Sequence, residues 1–173
     1  IRDVFNSSNP SVLEIIHFKA SVHVPLVSNK NIIATTYDPN SGERILVFNK
    51  SGDLIKSVLD YPHTTKDLNI SDNLLPMAYV SNITNHPNLT KYAIASQNED
   101  LIQILDSSFK ETVTIKGPDF FIPAYLEDDG DLSPIIDKTK EAYFSIQSNA
   151  SELWVLYDGR LSFDSTKDPG PEN

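Results

Sequence analysis

The chain has 173 residues, 39% of them apolar, a formal net charge of −10 and no cysteine. That length supports one domain with its own hydrophobic core, and no apolar run reaches the ~18 residues of a membrane-spanning helix. The acidic balance, with no Lys/Arg cluster against it, argues against nucleic acid and anionic membrane surfaces as partners; the missing thiols exclude disulfides, thiolate metal sites and cysteine nucleophiles.

The first residues, Ile1-Arg2-Asp3-Val4, lack the charged and apolar regions of a signal peptide. Ile16 to Val24 alternates: Ile16, Phe18, Ala20, Val22 and Val24 point one way, His17, Lys19, Ser21 and His23 the other. This period of two predicts a half-buried strand. His17 and His23 then lie about 20 Å apart along one face, too far to share a metal. Three segments follow with a common pattern of apolar strand, short turn and second strand. The first runs Asn31 to Tyr37, turns at Asp38 to Gly42, and continues through Arg44 to Asn49, Lys50-Ser51-Gly52 and Asp53 to Val58. The second runs Lys91 to Ser96, Gln97 to Asp100, Leu101 to Asp106, Ser107 to Phe109 and Lys110 to Ile115. The third runs Glu141 to Gln147, Ser148 to Ser151, Glu152 to Tyr157 and Asp158-Gly159-Arg160.

Ile45, Ile102 and Leu153 hold matching places, 57 and 51 residues apart; Ile32, Tyr92 and Ala142 begin the preceding strand, 60 and 50 apart. A period near 50 with hairpins inside it predicts an all-β protein, a β-propeller of four-stranded antiparallel blades with about three blades in this chain. The innermost strand of each blade is expected before each triplet, at Ser21 to Val27, Met77 to Ile83 and Ile122 to Leu126. Pro25, Pro76 and Pro123 mark the starts or edges of these strands, because proline breaks a central ladder. Tyr61 to Leu75 reads as a polar loop. Residues 1–163 form the partial propeller domain, and residues 164–173 read as a polar disordered tail.

Asn-x-Ser/Thr sequences begin at Asn6, Asn49, Asn69, Asn82, Asn88 and Asn149. Several of these fall at predicted turns, where Asn is favoured for its own backbone hydrogen bonds. Glu127-Asp128-Asp129-Gly130-Asp131 is the densest carboxylate cluster. Oxygen ligands on a glycine-containing loop are what calcium takes, so Asp128, Asp129 and Asp131 are the candidate calcium ligands, although the twelfth-position Glu of an EF-hand is missing. No other cofactor is expected. His63 and His86 fall in loops. The sequence has no G-x-S-x-G, H-E-x-x-H or phosphate-loop motif, so no catalytic set can be assembled from it. Tyr37, Tyr61, Tyr79, Tyr125 and Trp154 fit packing between blades, with a sugar-stacking face as the other use of such rings.

Two stretches resemble the TolB-like six-bladed propeller proteins of Bacteroidetes: Ile45-Leu46-Val47-Phe48-Asn49-Lys50-Ser51-Gly52-Asp53-Leu54, and Met77 to Asn88 followed by Tyr92-Ala93-Ile94-Ala95. Leu156-Tyr157-Asp158-Gly159-Arg160 is similar to a further element of that family. The resemblance covers roughly Ser21 to Phe163. It implies export to the periplasm or cell surface, often as a lipoprotein, though no anchoring cysteine is present here. It supplies no catalytic residues. Three blades make half of a six-bladed ring, completed by a missing second half or by a homodimer. The expected function is an extracytoplasmic binding or scaffold module for a protein or glycan partner. The alternative is a calcium-dependent hydrolase or lyase, which the few ionisable residues of the inner-strand candidates disfavour.

Overall fold

A computed structural model describes residues 15–28 and 30–162. The tail and the sequon at Asn6 lie outside these described residues. The protein is all-β apart from short helical turns, with four antiparallel sheets of four, four, two and two strands. The first sheet is a meander of β1 (Val22–Val27), β2 (Ile32–Thr36), β3 (Ile45–Phe48) and β4 (Leu54–Val58), in that spatial order. The second repeats it with β5 (Ser81–Asn85), β6 (Lys91–Ser96), β7 (Leu101–Asp106) and β8 (Glu111–Lys116). β9 (Tyr125–Asp128) and β10 (Asp131–Pro134) form a hairpin, and β11 (Tyr143–Ser148) pairs with β12 (Leu153–Tyr157).

The two meanders share details beyond strand order. Each has a register irregularity just before its third turn, at Val47/Phe48 and at Ile104/Leu105. Each third turn is held by one side chain. Asn49 Oδ1 accepts from the backbone N–H groups of Ser51 and Asp53, both at 2.9 Å. Asp106 Oδ1 accepts from those of Ser108 and Lys110 at 2.8 and 3.1 Å. The fourth turn position needs a left-handed backbone. Gly52 supplies it at φ 89°, where glycine carries no steric penalty, and Phe109 adopts φ 69° instead. Stacking of the Phe109 ring on Tyr92, with centroids 4.9 Å apart, offsets that strain. Asn88 and Asn149 hold their own turns in the same way, and Asn69 caps a helix at φ 55°. The turn reading of these asparagines therefore holds, whereas Asn82 lies within β5.

The sheets stack face to face. Ile33, Ile45 and Val47 from the first meander interleave with Ile83, Ile94 and Leu105 from the second. The other face of the second meander, with Ala93, Ala95 and Ile102, packs on Tyr143 and Ile146 of β11. The other face of the first packs under Ile16, Phe18, Ala20 and Val22. The first strands lie side by side, β1 against β5 and β5 against β11.

Several expectations need correcting. The strand over Ile16 to Val24 begins only at Val22. Ile16, Phe18 and Ala20 do share a face with Val22, but as an extended lid on Phe48 without a ladder, Phe18 meeting its ring at 4.7 Å. Val24 turns to the opposite face through an irregularity between Val22 and Pro25, and its N–H donates to Thr35 Oγ1 at 3.3 Å. Proline is tolerated inside β1 because β1 is an edge strand. Met77 belongs to a helical turn, and β5 starts at Ser81. Tyr61 to Leu75 is not all loop. It holds α1 (Thr65–Leu68), capped by reciprocal Thr64–Asp67 hydrogen bonds, and a 3-10 turn (Asp72–Leu74), and it runs into α2 (Leu75–Ala78), where Pro76 suits the first turn.

The third repeat is displaced by one strand. β5 and β6 start 59 residues after β1 and β2, and β11 and β12 start 62 after β5 and β6. Leu153 thus opens a second strand and matches Lys91, not Ile102. Ile122 to Leu126 supplies no first strand: it is loop leading into β9, which pairs with β10 alone. The hairpin, 125–134, docks instead on the helical segment, placing Tyr125 and Leu132 against Leu68, Ile70 and Leu74. Ser71 fastens it by donating from its backbone N–H to Glu127 at 2.7 Å.

Candidate functional site

Arg44 precedes β3 and reaches from the first meander into the second. It is 2% exposed. Nη1 donates to Gln103 Oε1, and Nη2 donates to Ser81 Oγ at 2.9 Å and Ser96 Oγ at 2.8 Å. The guanidinium lies 5.5 Å over the Tyr79 ring. Burial brings its pKa down to about 10, while the negative charge of Glu99 holds it up. It stays charged at neutral pH. Gln103 passes the network on, Nε2 donating to the Glu111 carboxylate, which also accepts from Thr114 Oγ1.

Next to this lies a cavity of about 350 Å³ on whose wall Glu99, Gln103, Glu111 and His63 meet. A second hollow of about 400 Å³ shares Gln103 and Glu111 and adds Glu43 and Asp60. Glu99 follows β6 in a tight loop and is 5% exposed. His63 Nε2 sits 3.1 Å from its Oε1 and stacks on Tyr79 with centroids 6.4 Å apart. Burial pushes the Glu99 carboxyl up, and His63, Arg44 and Lys116 pull against that.

Three buried polar atoms in this cluster have no hydrogen-bond partner: Arg44 Nε, Tyr79 Oη and Glu99 Oε2. The His63 backbone N–H approaches the Tyr79 oxygen without hydrogen-bond geometry. Folded proteins leave few buried polar groups unpaired, since each costs about 1–3 kcal/mol. Burial also pushes the Tyr79 hydroxyl strongly upward and that of Tyr61 to about 12, so both remain protonated donors.

Asp100, the next residue, has donors on both carboxylate oxygens. Its Oδ2 accepts from the backbone N–H groups of Asp119 and Phe120 at 2.7 and 2.9 Å, and its Oδ1 accepts from Tyr143 Oη at 2.9 Å. This orders the segment that leads to Phe120, Phe121 and Ile122, which line the cavity. Gly117 is required there, because a Cβ would stand 1.8 Å from Asp100 Oδ1.

The carboxylates singled out from sequence lie elsewhere. Asp128 ends β9, Asp131 begins β10, and Asp129 and Gly130 form the tip between them with φ 50° and 84°. Two successive left-handed residues make the tight turn that Asp-Gly favours. Among the described residues no three His, Asp or Glu side chains converge as a metal-binding group. The histidines are scattered. His23 meets Gln97 Nε2 at 3.0 Å, and burial lowers its pKa; His86 joins Asn88 to the Ala150 carbonyl. Of the aromatic residues, Tyr61 and Tyr79 pack together in the core beside Arg44, whereas Trp154 is 59% exposed. Sequence reasoning missed Arg44, Glu99, Gln103 and Glu111. Glu99-Asp100 reads as an ordinary polar turn, and only a charged residue opening an apolar strand, Arg44-Ile45-Leu46-Val47, hinted at a buried cation.

Compared with known proteins, the chain matches no protein-family model and no curated protein.

Proposed function

We propose that this chain is the greater part of three blades of a TolB-like β-propeller that serves as an extracytoplasmic binding or scaffold module. One observation carries the reading: the same meander, with the same irregularity and the same side-chain-held turn, recurs 59 residues on and stacks face to face along its first strand. Blades stack in this way around a channel. β11 and β12 then start a third blade, whose outer face presents Trp154 and Leu156, 59% and 62% exposed, for the next one. A missing half or a second copy completes the ring. Propellers take protein or glycan partners at their loop ends, a placement drawn from fold analogy; the cavity beside Glu99 is lined by loop residues and by strands β7 and β8.

Solution scattering and sedimentation of the intact natural protein test this. A flat, ring-like particle is expected, and an elongated stack overturns it. Recovery in the cytosol rather than the cell envelope overturns export. The competing reading, a calcium-dependent hydrolase or lyase, rests on the Asp128–Asp131 tip. Calorimetric heat with calcium, lost when Asp128, Asp129 and Asp131 become Ala, selects it.

A further inference from the structure

We propose that the cavity beside Glu99 binds a primary ammonium group on a flexible chain, as carried by a free diamine or a lysine side chain. The inference deepens the binding-module reading and rests on it.

The argument starts from acceptors. Glu99 lines the cavity, and its buried Oε2 has no donor, although Oε1 of the same carboxylate is held by His63. A carboxylate accepts up to about four hydrogen bonds and donates none when ionised. The group that completes the ionised form of Glu99 brings N–H or O–H. Glu111 faces the same cavity, its carboxylate aimed by Gln103 and Thr114. Asp100 is largely committed, with two donors on Oδ2 and Tyr143 on Oδ1.

The protein's own cations do not fill this role. Arg44 spends its terminal nitrogens on Gln103, Ser81 and Ser96. Lys116 lines the cavity but makes no salt bridge within 4.0 Å to either carboxylate. His63 is committed to Oε1. An anionic ligand would face two carboxylates; an ammonium faces two acceptors and three N–H groups to give them. The net charge of −10 draws cations toward the surface.

The apolar part of the lining fits the carbon chain of such a ligand. Phe120, Phe121 and Ile122 line it, and Phe120 is 72% exposed with φ 53°. An aromatic ring held out of the core by a loop that Asp100 orders offers an apolar strip and a face for a cation. The volume of about 350 Å³ suits a single side chain or a short diamine.

Titration calorimetry and amide NMR with 1,4-diaminobutane and with Nα-acetyl-lysine amide test the proposal, with 1,4-butanediol as the neutral control. At least one amine is expected to bind, with shifts centred on residues 99–103 and 117–122, and the diol is not. Binding of the diamine alone identifies a free polyamine; binding of the lysine amide identifies a peptide. Glu99→Gln and Glu111→Gln should each weaken binding about tenfold or more, Phe120→Ala several-fold, and Glu152→Gln not at all. A cooperative melt shows that each variant is folded, and Phe120→Ala serves if the buried variants are not. Wild type that binds neither amine, equal binding by the diol, or affinity unchanged in both Glu variants overturns the proposal. An elongated particle that still binds amine ends the ring and keeps this site; a ring that binds neither amine keeps the ring and ends the site.

Discussion

Strands β6 and β12 are similarly apolar but differ in what covers them. β6, Lys91–Ser96, is buried from Tyr92 onward because a sheet lies on each of its faces. β12, Leu153–Tyr157, packs Leu153 and Tyr157 inward and leaves Trp154, Val155 and Leu156 exposed. The difference lies in the neighbours, not in the strands. A strand inside the stack is buried by the sheets beside it, and at the end of the stack the same pattern becomes a surface for something else.

The interface between the two meanders should be the most sensitive place. Arg44→Met keeps the stem but removes the charged head that ties Ser81, Ser96 and Gln103 together. Leaving the buried partners without their donor costs about 1–3 kcal/mol or more, read as a drop in the urea midpoint. A loss as small as that of an exposed residue would make the network decoration. Arg160 gives the comparison: its side chain is 78% exposed and reaches Asp158 from the surface, so Arg160→Ala should move the midpoint little.

Ile94→Ala and Leu156→Ala form the direct contrast between the middle and the end of the stack. Ile94 is fully buried between sheets, so truncation should cost about 3 kcal/mol. Leu156 is 62% exposed, and its truncation should stay within about 0.5 kcal/mol. Equal losses would show that the end of the stack is covered in solution.

How much of this was legible follows the same line. β2, β3, β6 and β7 were readable because each is a short apolar run between turn residues, and that is local information. The turns at Asn49 and Asp106 were readable for the same reason. The register of the third repeat was not: Tyr143 to Tyr157 fits either of two successive strand pairs by pattern, and the choice depends on the hairpin 125–134 docking elsewhere. The helical turns near α1 are four residues or fewer, too short to show a 3.6-residue period. The site was hidden because its parts, Arg44, His63, Glu99 and Glu111, meet only once two sheets have stacked. Their burial is a property of the stack.

A third prediction reverses the usual sign. Burial raises the Glu99 pKa, with His63, Arg44 and Lys116 opposing. A group whose folded pKa lies above its unfolded value contributes stability below the unfolded value, and loses it as pH rises through the folded one. The tendency of this carboxyl to ionise therefore weakens the fold as pH rises. Glu99→Gln should match the wild-type midpoint at about pH 4 and exceed it at about pH 7. A variant that is less stable at about pH 7 would mean that Glu99 holds the structure together through His63, and would remove the reason to regard it as a site kept at a cost in stability.

The smallest effect is the most direct reading of the open face. Trp154 is the sole tryptophan, so the fluorescence of the intact protein reports one place. Exposed as it is, its emission should resemble that of indole in water and be quenched freely by iodide. Trp154→Ser should leave the unfolding midpoint within about 0.5 kcal/mol, because little packing is lost. If a second copy or a further sheet covers this face in the natural protein, emission shifts to the blue and quenching falls, while the interior of the stack stays unchanged. Concentration separates the two cases. A blue shift that fades on dilution marks a homodimer, and one that does not marks a cover from the same polypeptide.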